Sequence, residues 1–176
     1  MSENRVDPTV AGLYLVGFIT LFFGLLGILT FLGNDTTDAA AAAMGLLLPV
    51  GFVLIIFAYM AGKAGNAFAT ALFAFIGVAF IGVSMSALYS PMGAYATAIF
   101  FIIFAIVAFI IGAPKLLAIL LLLVALFFLF FGFNTAAADP AAKEVYAAAY
   151  GLFSFIAFIV ATYLAVALGT QKMPVF

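Results

Sequence analysis

Residues 116–133 read LLAILLLLVALFFLFFGF. The run carries no charge and is long enough to cross the hydrocarbon core of a bilayer as a helix. It shows none of the apolar–polar alternation that a strand of a membrane barrel requires. Inside lipid every backbone N–H and C=O must find its partner within the segment or within a closed barrel. Without alternation, the helix is the solution that remains.

The same reading extends to the whole chain. Of its 176 residues 70% are hydrophobic and only 6% are charged, more apolar surface than a water-facing exterior can hide. Further runs are read at Ala11–Leu32, Met44–Ala61, Ala67–Leu88, Met92–Gly112 and Tyr146–Leu168, which with Leu116–Phe133 makes six spans. Turn chemistry falls between them: Gly33-Asn34-Asp35, Gly62-Lys63-Ala64-Gly65-Asn66, Ser90-Pro91, Gly112-Ala113-Pro114-Lys115 and Asp139-Pro140. The expected organisation is an all-α integral membrane protein. Residues 1–10 form a cytoplasmic segment, 11–168 a six-helix transmembrane domain and 169–176 a cytoplasmic tail. The first run exceeds the h-region of a signal peptide and is read as a span.

Orientation follows from the cations. Six spans put Arg5, Lys63, Lys115 and Lys172 on one side, and leave Lys143 with Asp35, Asp38, Asp139 and Glu144 on the other. The positive-inside rule then places both termini in the cytoplasm of a multi-pass cell-membrane protein. Leu72–Ile76 (LFAFI) is echoed by Leu152–Ile156 (LFSFI), and Pro8 by Pro91. An inverted 3+3 repeat and chance similarity in a Phe-rich chain both account for this.

Composition also excludes functions. There is no Cys and no His, which removes disulfides, thiolate and imidazole metal sites and the usual proton shuttle. A net charge of -1 gives no footprint for nucleic acid. No span holds Lys, Arg, Asp or Glu in its interior, whereas charge-coupled pumps keep such a group in the membrane. The expectation is a non-enzymatic route for a small solute, without cofactor or metal, walled by hydroxyls and apolar side chains. The candidate polar groups are Tyr14, Thr20, Thr70, Ser84, Ser86, Thr97, Ser154, Thr162 and Tyr163. The simpler role for each Ser or Thr is a bond to the carbonyl one turn back or to a neighbouring helix. Gly17, Gly24, Gly27, Gly77 and Gly82 are read as close-packing positions, within one subunit or between subunits.

Several stretches resemble the acetate uptake transporter family, whose bacterial members include the YaaH-like succinate–acetate permeases. That family opens its first helix with Asn-Pro-Ala-Pro-Leu-Gly-Leu; residues 7–13, DPTVAGL, match at Pro8, Gly12 and Leu13. Gly17-Phe18 and Thr20 are similar to its Gly-Phe and Thr pair. KAGNAFA (Lys63 to Ala69) is similar to its KKGNTFG turn, and Met173-Pro174-Val175 to its Leu-Pro-Ile ending. Asp7 stands where the family has Asn, Val10 where it has a second Pro, and Ile76, beside Phe75, where it has Tyr before Gly77.

The resemblance implies a homo-hexamer in the lipid bilayer, each subunit with its own path for acetate or a related short carboxylate, succinate included, with proton coupling as co-movement. It implies substrate contacts at Asp7, Gly12, Leu13, Thr20, Asn66 and Thr70. It implies an apolar neck from Val16 or Phe18, from Ile76 with Phe75, and from Leu122, Leu123 and Val124. A channel for neutral solutes such as urea or amides is the alternative, and an assembly subunit a third reading.

Overall fold

A computed structural model describes residues 8–84, 91–171 and 173–174. Among these, six helices account for nearly all of the chain: α1 (Pro8–Phe31), α2 (Thr37–Lys63), α3 (Ala67–Ser84), α4 (Pro91–Ile110), α5 (Lys115–Ala136) and α6 (Pro140–Thr170). Each is long and apolar enough to cross a membrane. The largest departure from the expected spans is α2, which starts seven residues before Met44 because Ala39–Ala43 continues the helix outward. Alanine is the best helix former, so an apolar-run reading truncates the element there.

The ends obey local chemistry. Asp139 caps α6, its carboxylate accepting from the backbone N–H of Ala141 at 3.2 Å and of Ala142 at 3.3 Å, with Pro140 at the first helical position. Asn66 caps α3 through an Oδ1 that accepts from the Ala69 N–H at 3.0 Å. Gly33, Gly65 and Gly112 stop the preceding helices with φ of 75°, 79° and 71°, the left-handed conformation that glycine adopts without strain.

The helices form a ring in chain order that closes where α1 meets α6. Packing along the ring is uneven. The α1–α6, α2–α3, α4–α5 and α5–α6 seams are extensive, α1–α2 is thinner, and the α3 and α4 backbones stand apart, bridged by rings such as Phe75 on Phe100 and Phe68 on Phe104. Glycines explain the tightest seam. A Cβ on Gly27 would lie 2.6 Å from Gly151 Cα and 2.7 Å from the Ala147 carbonyl oxygen, and one on Gly24 3.0 Å from the Phe155 nitrogen. Across α2 and α3, Gly51 and Gly77 face each other in the same way. Gly17, Gly24, Gly27 and Gly77 thus serve packing within the subunit.

Candidate functional site

Residues of all six helices enclose a cavity of about 50 Å³. Val16 and Thr20 reach it from α1, Ile76 from α3, Phe101 from α4, Leu120 and Val124 from α5 and Ser154 from α6. Most stand near the midpoint of their helices, which puts the cavity near the middle of the spans. Most of the residues that surround it are buried: Ile76 is 4%, Leu120 2% and Val124 6% exposed.

Among the described residues only two hydroxyls border this space, and both are already engaged. The Thr20 hydroxyl donates to the carbonyls of Val16 at 2.9 Å and Gly17 at 3.0 Å. Ser154 Oγ donates across the seam to the Thr20 carbonyl at 2.8 Å. Thr30, Thr70, Thr97 and Thr170 likewise bond the carbonyl four residues back. The simpler role expected of membrane Thr residues therefore holds at these positions. A cavity with volume enough for water but without free polar partners stays dry. A dry, apolar constriction blocks ions by dewetting and admits a solute only when that solute sheds its water.

Two further spaces adjoin it. At the end of the bundle that gathers the start of α1, the α2–α3 and α4–α5 loops and the end of α6 lies a cavity of about 270 Å³, bordered by Thr9, Asn66, Pro114 and Leu168. It shares Leu13, Leu72, Phe73 and Leu117 with the central cavity, so these four side chains are the partition between them. On the flank, where α3 and α4 part, a groove of about 230 Å³ runs past Val78, Thr97 and Phe100. The opposite end of the central cavity is closed by interlocked rings. Phe127 lies 5.4 Å from Phe23, 5.9 Å from Phe131 and 6.0 Å from Tyr150, centroid to centroid.

The expected site residues separate in this geometry. Leu13, Val16, Thr20, Ile76 and Val124 line the central cavity, and Leu13 and Asn66 the end cavity. Gly12 is buried against the Phe73 ring. Thr70 stands at the α2–α3 turn beside Gly62, its hydroxyl on the Asn66 carbonyl at 2.8 Å, and borders none of the three spaces. Phe18 and Leu122 turn outward, at 48% and 44% exposure, because each is about half a helical turn from its cavity-lining neighbours Val16 and Val124. Leu123 is partly buried against other core residues and does not reach the cavity. Phe75 lies in the α3–α4 groove with its ring stacked on Phe100 at 5.0 Å. Asp7 and Ser86 lie outside the described residues. Sequence reading missed Phe73, Phe101 and Leu120. Phe73 was within reach, since it precedes Ile76 by three positions and shares its helix face.

No family model matches this sequence, and no curated protein sequence matches it. A solved structure does match: the bacterial acetate channel SatP, at 18% identity and a TM-score of 0.66, over 98% of this chain and 100% of that one. The fold is that of SatP. The match to SatP extends over nearly the full length, so it takes in all six helices. At this identity the chemistry of those walls must be argued from the residues of this chain.

Proposed function

We propose that this chain is a membrane path for acetate and related short-chain monocarboxylates, and a member of the acetate uptake transporter family. The carrying observation is the dry cavity enclosed by all six helices, in a fold shared with an acetate channel. Val16, Ile76 and Val124 form the apolar neck, with Leu120 and Phe101 completing it. Thr20 and Ser154 contribute little to solute binding while their hydroxyls stay on backbone carbonyls.

The neck dictates which form of the solute passes easily. A bare carboxylate costs several kcal/mol or more in apolar surroundings, whereas the undissociated acid leaves only a hydroxyl and a carbonyl to desolvate. A proton therefore travels with acetate, and no ionisable side chain in the spans is needed. Carboxylic acids titrate at roughly 4–5, so flux rises as the pH falls toward that range. The termini and Lys63 and Lys115 face the cytoplasm. The assembly is a homo-hexamer with one path per subunit, and succinate is a further substrate.

The absence of a free polar group in the cavity among the described residues also suits a neutral solute, which makes a urea or amide channel the second reading. Flux of labelled acetate and labelled urea into liposomes of the pure protein, with and without an inward proton gradient, separates the two. Acetate entry above protein-free vesicles, enhanced by the gradient, is expected. Urea entry without acetate entry would install the second reading.

A further inference from the structure

The partition between the end cavity and the central cavity rests mainly on one side chain. Phe73 is 2% exposed and borders both spaces, and it is the largest of the four residues that do. Its ring fills the place where a side chain of Gly12 would stand: a Cβ there would collide with two ring atoms and press on a third. Glycine at position 12 thus provides the seat for the ring. No other aromatic ring pairs with Phe73 among the described residues. The far end of the cavity differs, since Phe23, Phe127, Phe131 and Tyr150 hold one another. The ring seated on that glycine has open space on both sides, a cavity of about 270 Å³ on one and of about 50 Å³ on the other.

We propose that Phe73 is the gate between the end cavity and the central cavity, and that with Gly12 it sets the size of the carboxylate admitted. The transport part of this rests on the proposed function; the gate itself does not. A flat ring swinging off Gly12 clears a slot suited to a two-carbon acid, and longer acids need the ring displaced further against Leu13, Leu72 and Leu117.

The chain has no Cys, so one introduced thiol reports access without background. Leu120 borders the central cavity but not the end cavity, and Leu120→Cys places the reporter behind the gate. The probe is methyl methanethiosulfonate, a small uncharged thiol reagent that an apolar cavity does not exclude by charge, applied to the purified protein. Adding Phe73→Ala is expected to speed thiol modification at least tenfold, and Phe73→Leu by an intermediate factor. An unchanged rate in both backgrounds overturns the gate, and Phe73→Leu alone decides it if Phe73→Ala does not fold. In liposomes Phe73→Leu is expected to raise the butyrate-to-acetate flux ratio several-fold. Gly12→Ala is expected to lower acetate flux, with recovery when Phe73→Leu is added. An unaltered ratio overturns the specificity role. Absence of acetate flux in the unmodified protein would sink the transport reading while the labelling rates still decide the gate.

Discussion

The α1–α6 and α3–α4 seams are built from helices of similar apolarity, yet in one the backbones pack most closely and in the other they stand apart with aromatic rings between them. Lipid tails are as apolar as Leu, so burial alone does not drive helices together, and close fit with hydrogen bonds must do so. α1 supplies Gly17, Gly24 and Gly27 on the face it turns to α6. α4 has a single glycine, Gly93, near its start, and large side chains such as Phe100 follow. The echo between Leu72–Ile76 and Leu152–Ile156 sharpens the contrast at one atom. Ser154 in α6 ties its helix to the Thr20 carbonyl, whereas the corresponding Ala74 in α3 has no hydroxyl to offer α4. Where the seam is tight the central cavity is sealed; where it is loose a groove opens on the flank and shares Val83, Phe128 and Phe131 with that cavity.

The largest effect on this contrast comes from filling the tight seam. Gly27→Leu places its side chain on Gly151 and Ala147 and is expected to destabilise the protein by about 1–3 kcal/mol or more, through overpacking against backbone that cannot yield. Ala96→Leu, in the open groove, is expected to change stability by less than about 0.5 kcal/mol. Matched unfolding midpoints in detergent compare the two; equal losses would mean that the seams do not differ energetically.

Removing a hydroxyl probes the same contrast at smaller scale. Ser154→Ala loses a fully buried bond between helices and is expected to cost about 0.5–1.5 kcal/mol. Thr97→Ala loses only a bond to the Gly93 carbonyl of its own helix and is expected to cost little, because α4 gives up no tie to α3. Equal costs would show that the cross-seam bond carries no stability of its own.

How far these features were legible in the sequence depends on the signal each one leaves. Element number and the positions of the turns were readable because Gly33, Gly65, Gly112 and Asp139-Pro140 carry backbone requirements that stand out against apolar runs, whereas the starts of α2 and α6 lie seven and six residues ahead of the apolar runs read for them. The cavity walls were only partly readable. α5 is apolar on every face, so nothing in its composition separates Leu120 and Val124, which line the cavity, from Leu122, which turns outward. The resemblance pointed to Leu122–Val124 without fixing the rotation of the helix, and a shift of two residues moves a side chain to the opposite face. Ser154 was one of several hydroxyl candidates; its bond to α1 depends on a crossing 134 residues away in sequence.

The smallest expected effect lies outside both seams, in the loop that joins α1 to α2. The Thr37 backbone N–H and hydroxyl both donate to Asp35, at 3.0 Å and 2.8 Å, and hold its carboxyl below the usual range. A lowered carboxylate pKa contributes order above the ordinary value that is lost as pH falls through the lowered one. Hydrogen-exchange protection in the first turn of α2, taken relative to the intrinsic exchange rate at each pH, is expected to fall slightly on acidification below the ordinary range, and Asp35→Asn is expected to remove that dependence. Identical pH profiles in the two proteins would contradict it.

The central claim is that the dry cavity among the six helices is the solute path. Ile76→Arg tests it most directly, since it sets a charge in the neck, where Ile76 is 4% exposed and borders the cavity. Labelled acetate entry is measured in liposomes carrying equal amounts of the unmodified protein and of Ile76→Arg that elutes at the same size. The account predicts entry well above protein-free vesicles for the first and no more than the protein-free rate for the second. Equal entry through both would contradict it.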